Sequence, residues 1–378
     1  MTAYHQMGHH SRNLLFEEHL NSYKGAILSP VDYNDHEIRS QIEDRQSDDF
    51  EMIFDPQLYY PHTQRRIPPD WPYFPADFDT GDQNSFAWWN RLLSSLTQNL
   101  IDLMPSFSCS PAVVPRVYSS NYYVLHRDIA VSLADLLANT NIKVLQTLIV
   151  RLEDLSQPSV APEIASIVTA SELDRVYLVL VSASHPRREL HETEDLKGAM
   201  LLIRLLSDAG INVLVGFSSS DLILWKTAGA DACATGKFFN LRRFTPSRWE
   251  PPPEGGGQLP YWFEESLFAF LRESDLVRVR RAEFISDASL SNPYSQQILE
   301  RLDEHPGTPW LGLSWRQHMY WFADMESRLS ESSVDSDSIL KTAEDVWDAC
   351  EANNILMEER ANDGSWLRSW RRAILETF

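Results

Sequence analysis

The chain has 378 residues, and 54 acidic residues against 33 lysines and arginines give it a net charge of −21. A charge of this size repels phosphate polymers at long range, so the composition does not support nucleic-acid binding. The sequence has no long apolar run and no basic-then-apolar start, which predicts neither a transmembrane helix nor a secretory signal. Three scattered cysteines, Cys109, Cys233 and Cys350, argue against a disulfide framework and a Cys-rich zinc site. We therefore expect a cytoplasmic protein.

Seven apolar segments are predicted strands, at residues 25–30, 50–55, 106–114, 144–152, 176–182, 212–217 and 231–235. Helical segments separate most of them, and this alternation indicates a parallel sheet covered on both faces. We predict an α/β fold of the (β/α)8 type, a TIM barrel, with an eighth strand at 276–279 after a helix at 261–272. A doubly wound open sheet is the alternative, but neither GxGxxG after the first strand nor GxxxxGK(S/T) occurs.

The predicted barrel domain, residues 23–285, follows an N-terminal tail at 1–22 and precedes a C-terminal helical extension at 286–378. Three helices are predicted in that extension, at 315–330, 338–351 and 366–376. Residues 57–83 are rich in proline and aromatic residues, which excludes a continuous helix or strand. Long loops of this kind are usually functional, so we interpret 57–83 as an ordered lid or binding loop.

Residues that directly follow barrel strands meet at one rim, where barrel enzymes have their active sites. The candidates at these positions are Asp32, Asp55, His126, Arg151, Glu153, His185, Ser218, Asp221, Lys237 and Asn240. Asp55 is the most informative of them, because a carboxylate after an apolar strand needs a partner or a shifted pKa. The alternative is that Asp55 caps the turn at Pro56. The set contains no HxH or ExxH pair, so no metal is predicted.

Two segments combine features suited to a nucleotide. The loop after the last predicted strand is basic and contains Lys237, Asn240, Arg242, Arg243 and Arg248, which could hold phosphates. The 57–83 segment supplies aromatic rings and cations, namely Tyr59, Tyr60, Trp71, Tyr73, Arg65 and Arg66. Such rings suit stacking on an unstacked base. They suit equally well a loop that pins itself to the barrel by aromatic packing.

Three motifs in this order resemble the tRNA-guanine transglycosylase superfamily, and more closely its divergent DNA-acting branch, the DpdA-like proteins. They are Val215-Gly216-Phe217, Gly229-Ala230-Asp231 and Phe239-Asn240-Leu241-Arg242-Arg243. The resemblance covers roughly residues 25–250 and implies a barrel that handles a nucleic-acid base. Ala234 stands where the family has its nucleophilic aspartate, and the scattered cysteines cannot form the family's zinc site.

The resemblance therefore implies cleavage of an N-glycosidic bond without an enzyme-linked intermediate and without a cofactor. We predict a DNA glycosylase acting on a modified base in phage defence, with DNA favoured over tRNA as the partner. Asp55 would stabilise the oxocarbenium-like transition state, with Asp32 or Asp221 as substitutes. Two alternatives remain, a barrel enzyme acting on a small phosphorylated metabolite and a non-catalytic nucleic-acid-binding protein on a degenerate barrel.

Overall fold

The computed structural model describes residues 2–45, 49–60, 71–250, 258–331, 334–359 and 362–378. Eight parallel strands form a closed barrel in chain order, and the last strand pairs with the first. The strands are β1 (Tyr4–Gln6), β2 (Gly25–Leu28), β3 (Glu51–Phe54), β4 (Phe107–Cys109), β5 (Lys143–Arg151), β6 (Arg175–Val181), β7 (Asn212–Val215) and β8 (Ala232–Thr235). The predicted (β/α)8 barrel is thus confirmed, and all seven predicted barrel segments contain strands.

Six helices cover the barrel from outside. They are α1 (Asp35–Asp44), α2 (Phe86–Leu103), α3 (Ser120–Leu137), α4 (Val160–Val168), α5 (Thr193–Asp208) and α6 (Leu222–Thr227). In α2, Trp89, Leu92, Leu93 and Leu96 recur at helical spacing and are buried, so this face packs on the strands. No helix among the residues described is long and apolar enough to cross a membrane.

The N-terminal segment is part of the barrel, and the prediction of a tail at 1–22 is wrong. Tyr4 in β1 pairs with Gly25 on one side and with Ala234 on the other, so β1 closes the barrel. The sequence obscures this strand because it has three residues and two of them are polar. Gln6 accepts a hydrogen bond from the Tyr177 hydroxyl at 3.0 Å, so its side-chain oxygen has a partner inside the fold.

The predicted helix at 261–272 and strand at 276–279 are also wrong. A two-stranded antiparallel sheet occupies the first range, formed by β9 (Trp262–Glu264) and β10 (Ala269–Leu271). The second range lies in α7 (Glu273–Arg281). Leu276 and Val279 are three residues apart and lie on one buried face of α7. In the sequence these two apolar residues resemble a short apolar strand, which explains the wrong prediction.

The C-terminal helices pack against the barrel helices. They are α8 (Asp287–Ser291), α9 (Ser295–Glu304), α10 (Leu311–Ser330), α11 (Ser336–Ala352) and α12 (Ser365–Thr377), and the three predicted helices correspond to α10–α12. Lys226 of α6 and Glu326 of α10 form a buried ion pair at 3.1 Å. Trp370 of α12 donates its indole N–H to the carbonyl of Leu190 at 2.6 Å. These contacts fix the extension to the barrel.

Small residues directly after β7 and within β8 make room for a large ring inside the barrel. A Cβ atom on Gly216 would lie 2.5 Å from Cε2 of Tyr177 and 2.6 Å from its hydroxyl oxygen. Ala232 and Ala234 are buried in the same interior cluster as Tyr177. Gly216, which belongs to one of the motifs that carried the family resemblance, therefore has a packing role here.

We expect Gly216→Ala to lower the free energy of unfolding by about 1–3 kcal/mol, because the Tyr177 ring must shift in a closely packed interior. Denaturant titration measures this change. Gly312→Ala is the matched control, since the nearest atom to its Cβ is the flexible guanidinium of Arg316 at 3.3 Å. Unchanged stability of Gly216→Ala would contradict the packing role.

Candidate functional site

Asp55 lies at the carboxyl end of β3, but it is sealed inside the fold. Its side chain is 1% exposed, and its carboxylate accepts hydrogen bonds from the Tyr59 hydroxyl at 2.6 Å and the Gln57 N–H at 3.0 Å. Burial raises the pKa of Asp55 to about 6, although both hydrogen bonds and the Arg248 charge oppose the shift. Asp55 therefore stabilises the turn after β3 and lines none of the cavities described below.

The raised pKa of Asp55 predicts a stability effect that depends on pH. A carboxyl with a raised pKa in the folded state stabilises the fold below its unfolded pKa and loses this contribution as pH rises through about 6. We expect Asp55→Asn to gain about 2 kcal/mol relative to wild type between pH 4 and pH 8. Denaturant titrations at both pH values measure it, with the exposed Asp79→Asn as control. A pH-independent difference would refute this assignment.

The mouth of the barrel is closed by aromatic rings. The Tyr59 and Phe244 ring centroids are 5.1 Å apart, Phe217 and Phe244 are 5.0 Å apart, and Tyr59 and Trp249 are 5.6 Å apart. Tyr60 stacks at the edge of this group, 6.3 Å from Phe244. These rings form a barrel-mouth cluster over the interior, and the Tyr59 ring has no exposed face for a nucleotide.

Trp71 and Tyr73 pack against the outer side of β3. Their ring centroids lie 5.5 and 5.9 Å from that of Phe54. Trp71 donates to the carbonyl of Pro30 and Tyr73 to the carbonyl of Pro56, each at 3.1 Å. This arrangement corresponds to a loop that pins itself by aromatic packing, not to a stacking platform. Arg65 and Arg66 lie outside the described residues.

Two of the predicted phosphate-binding arginines are held by carboxylates of the protein. Arg243 Nη2 lies 3.1 Å from Glu189 and 3.2 Å from Asp221, and all three side chains are buried. Arg248 lies 3.6 Å from Asp32 and donates to the carbonyl of Asn240. Asp32 and Asp221 are therefore partners of structural arginines. The charges of Arg243 and Arg248 are compensated by these carboxylates within the protein itself.

Two other rim candidates also have structural partners. His126 is buried on α3, where its ring contacts those of Trp89 and Tyr122 at 5.4 and 4.4 Å. Arg151 pairs with Glu153, and both border a cavity of about 440 Å³ over β5 and β6. Because this cavity contains both charges of an ion pair, it does not select for an anion.

A second cavity, of about 480 Å³, lies beyond the carboxyl ends of β6 and β8. We call it the cationic cavity. Its basic lining residues are His185, Arg187, Lys237, Arg242 and Arg272. Its other lining residues are aromatic, apolar or uncharged polar side chains, including Asn240, and none of the described lining residues is a carboxylate. Such a concentration of positive charge in a chain with a net charge of −21 favours an anionic ligand.

Arg242 is the most deeply buried of the basic residues that line the cationic cavity. Its side chain is 2% exposed and donates hydrogen bonds to the carbonyls of Gly236 at 2.9 Å and Lys237 at 3.0 Å. Its guanidinium also faces the rings of Phe239 and Phe270 at 5.0 and 5.1 Å. Burial lowers its pKa to about 9, and within the described ranges no carboxylate lies within 4.0 Å of it. A buried cation in this situation is strongly favoured to pair with an anion.

Lys237 follows β8 directly and contacts two aromatic rings. Its Nζ donates to the carbonyl of His10 at 3.1 Å and lies 4.5 Å from the Trp315 ring and 4.6 Å from the Phe238 ring. Burial lowers the pKa of Lys237 to about 8, with Asp32 opposing the shift and Arg316 adding to it. The neutral fraction of this amine near physiological pH is therefore roughly a tenth or more, against well under a hundredth for an ordinary lysine.

Arg187 and Arg272 converge on one hydroxyl at the outer side of the cationic cavity. Arg187 donates to the Tyr261 hydroxyl at 2.7 Å and Arg272 to the same oxygen at 3.3 Å. Glu359 lies 3.3 Å from Arg272, whereas Arg187 has no carboxylate within 4.0 Å among the residues described. Arg187 is exposed, so its charge is available to a ligand.

An adjoining cavity of about 380 Å³ shares His185, Arg187, Phe239 and Tyr261 with the cationic cavity. The C-terminal extension contributes Glu359, Asn362 and Trp366 to its walls. Burial lowers the pKa of His185, and the charges of Arg187 and Arg188 add to this effect. A neutral imidazole at the junction of both cavities can accept or donate a proton.

Sequence reasoning named His185, Lys237, Asn240 and Arg242, which line this cavity. It did not include Arg187, Arg272 and Tyr261 in the site. Arg187 could have been found, because it follows the strongest predicted strand by a few residues. Arg272 and Tyr261 carried no usable signal, because their segment was predicted as a helix. The described residues contain no group of three potential metal ligands.

Comparison with protein-family models finds no match, and comparison with curated proteins finds none either. Twenty-six chains of solved structures match, and two of these matches have low identity to this chain. One, from Anabaena variabilis ATCC 29413, is provisionally described as a sugar phosphate isomerase/epimerase (12% identity, TM-score 0.34, covering 68% of this chain and 93% of that chain). The other is an L-ribulose 3-epimerase (9% identity, TM-score 0.39, covering 95% of this chain and 99% of that chain). Since both TM-scores are below 0.5, neither match carries an argument about activity.

The prediction of a DNA glycosylase is wrong. The carboxylate assigned to catalysis is sealed, three of the rings assigned to stacking are packed in the fold, and two arginines assigned to DNA phosphates are ion-paired. The resemblance to the transglycosylase superfamily stays a prediction.

Proposed function

We propose that this chain is a (β/α)8-barrel enzyme that acts on a small phosphorylated metabolite, with the phosphate group bound in the cationic cavity. The observation that carries the proposal is the buried Arg242, whose guanidinium contacts carbonyl groups and aromatic rings and has Glu189 only as a more distant negative charge. A phosphate would supply the missing negative charge and accept bidentate hydrogen bonds. Arg187, Lys237 and Arg272 border the same space and add further donors.

The position of the cavity supports the same proposal. Phosphate groups in barrel enzymes are frequently held by the loops after the last two strands, and Lys237 and Arg242 follow β8. The cavity volume of about 480 Å³ suits a small metabolite. Lys237 and His185 both border the cavity, and burial lowers the pKa of each. They are thus the candidate acid and base groups.

The proposal is tested by comparing phosphorylated compounds with their unphosphorylated counterparts. Thermal-shift and calorimetric measurements would use pairs such as ribose 5-phosphate and ribose, or glycerol 3-phosphate and glycerol. We expect binding only by phosphorylated members. The proposal fails if no phosphorylated compound binds, or if each pair binds equally.

Arg187→Gln is expected to weaken phosphate binding by about tenfold, because one charge-assisted hydrogen bond to a phosphate contributes about 1.5 kcal/mol or more. Isothermal titration with inorganic phosphate measures this effect. Arg281→Gln is the matched control, since Arg281 is exposed on α7 and lines none of the cavities described above. Equal affinities for the two variants would remove Arg187 from the site.

A further inference from the structure

We propose that Lys237 is a catalytic nucleophile that forms an imine with the carbonyl carbon of a phosphorylated aldehyde or ketone. This inference rests on the proposed function, because the arginines of the cationic cavity would hold the phosphate while Lys237 reaches the carbonyl group. It names the chemical class of the substrate and the bond that the enzyme forms.

Lys237 differs from the other lysines of the chain in its surroundings. Of the six lysines, four have a carboxylate oxygen within 3.1 Å, namely Lys24, Lys197, Lys226 and Lys341. The side chain of Lys143 is exposed at the start of β5. Lys237 is 4% exposed and borders the cationic cavity, and in the described part of the chain no carboxylate lies within 4.0 Å of its Nζ.

The surroundings of Lys237 orient its amine and lower its pKa. Burial and the nearby Arg316 charge disfavour the ammonium form, with His5 of β1 also facing it, whereas Asp32 and the faces of the Trp315 and Phe238 rings oppose this effect. A neutral amine that donates one N–H to the His10 carbonyl retains a lone pair for attack. Amines in such desolvated, cation-rich sites are activated nucleophiles.

The proposed step conserves atoms and electrons. The Nζ lone pair forms a C–N bond as the carbonyl π bond opens onto oxygen, which takes a proton to give a carbinolamine. The oxygen then leaves as water, its two hydrogens matching those lost from nitrogen, and protonation of the imine gives an iminium ion. His185 accepts the Arg187 backbone N–H at its Nδ1, so a neutral ring carries its proton on Nε2 and can donate a hydrogen bond to the substrate oxygen, while water exchanges the protons of the step. No oxidant or reductant is needed.

Borohydride trapping with pyridoxal 5′-phosphate tests the proposal, because this probe carries both a phosphate and an aldehyde. Reduction fixes any imine as a stable amine, and peptide mass spectrometry then locates the modified lysine. We expect Lys237 to be labelled on the order of tenfold faster than the exposed Lys143, with inorganic phosphate protecting Lys237 alone. Lys237→Arg is expected to lose the label at position 237, because a guanidinium does not form an imine under these conditions.

Parallel labelling with pyridoxal, which lacks the phosphate, separates this inference from the proposed function. If phosphate binds but Lys237 is labelled no faster than Lys143, the imine proposal is overturned and the phosphate site stands. If pyridoxal labels Lys237 as fast as its phosphate and inorganic phosphate gives no protection, the anion site fails and with it the proposed substrate. Phosphate-dependent labelling of Lys237 supports both. The decisive comparison uses the wild-type chain, so it does not depend on the folding of a variant.

Discussion

Replacing Arg242 by methionine is expected to reduce the affinity for inorganic phosphate by about a hundredfold while leaving the free energy of unfolding within about 2 kcal/mol of wild type. The guanidinium is buried and without a carboxylate partner in the described structure, so its interaction with a bound anion is poorly screened. Calorimetric titration and denaturant unfolding of the same variant measure both quantities.

The small stability change follows from two opposing effects. Methionine removes a desolvated charge, which is favourable, but it leaves the carbonyls of Gly236 and Lys237 without their present donor. The cationic-cavity assignment would be contradicted if Arg242→Met bound phosphate as tightly as wild type. A purely structural Arg242 would instead show a large loss of stability with unchanged affinity.

Replacing the neighbouring Arg243 by methionine is expected to have the opposite pattern, with a loss of about 3–5 kcal/mol of stability. Arg243 compensates the buried carboxylates of Glu189 and Asp221, which the substitution leaves without a cation. Burial raises the pKa of both carboxyls despite the Arg243 charge, so protonation relieves the loss as the pH falls. Denaturant titrations across pH measure this dependence.

The control for Arg243→Met is the triple variant in which Glu189→Gln and Asp221→Asn accompany it. Because this variant contains no buried charge in the cluster, it should recover most of the lost stability. A double-mutant analysis would show strong coupling between position 243 and each carboxylate. Equal stability of the single variant and wild type would show that the buried cluster contributes nothing.

The barrel could be predicted because its strands are buried on both faces. The segments around β5 and β6 are nearly continuous apolar runs. In a chain of alternating strands and helices such runs indicate buried strands of a parallel sheet. β1 could not be recognised, since Gln6 becomes acceptable inside the barrel only when the distant Tyr177 donates to it. The β9–β10 hairpin was not recognised either, because the spacing of its apolar residues is compatible with the period of a helix as well as with that of a strand.

The candidate site was only partly predictable. Proximity to the end of β8 correctly placed Lys237 and Arg242 at the rim. Nothing local distinguishes Arg242 from Arg243, although one borders the cavity and the other is bound by carboxylates. The difference depends on Glu189, which is far away in sequence, and a long-range partner of this kind has no signature in a single chain. Asp55 shows the same limit, since its position was predicted but its enclosure by Tyr59 was not.

The most direct test of the central claim is a crystal structure of the wild-type chain soaked with tungstate, a heavy phosphate analogue whose anomalous signal locates it. We expect a tungstate peak in the cationic cavity, within hydrogen-bonding distance of Arg242 and in contact with Lys237 or Arg187. Tungstate bound elsewhere, with that cavity free of anomalous density at saturating concentration, would contradict the assignment of this cavity as the phosphate site.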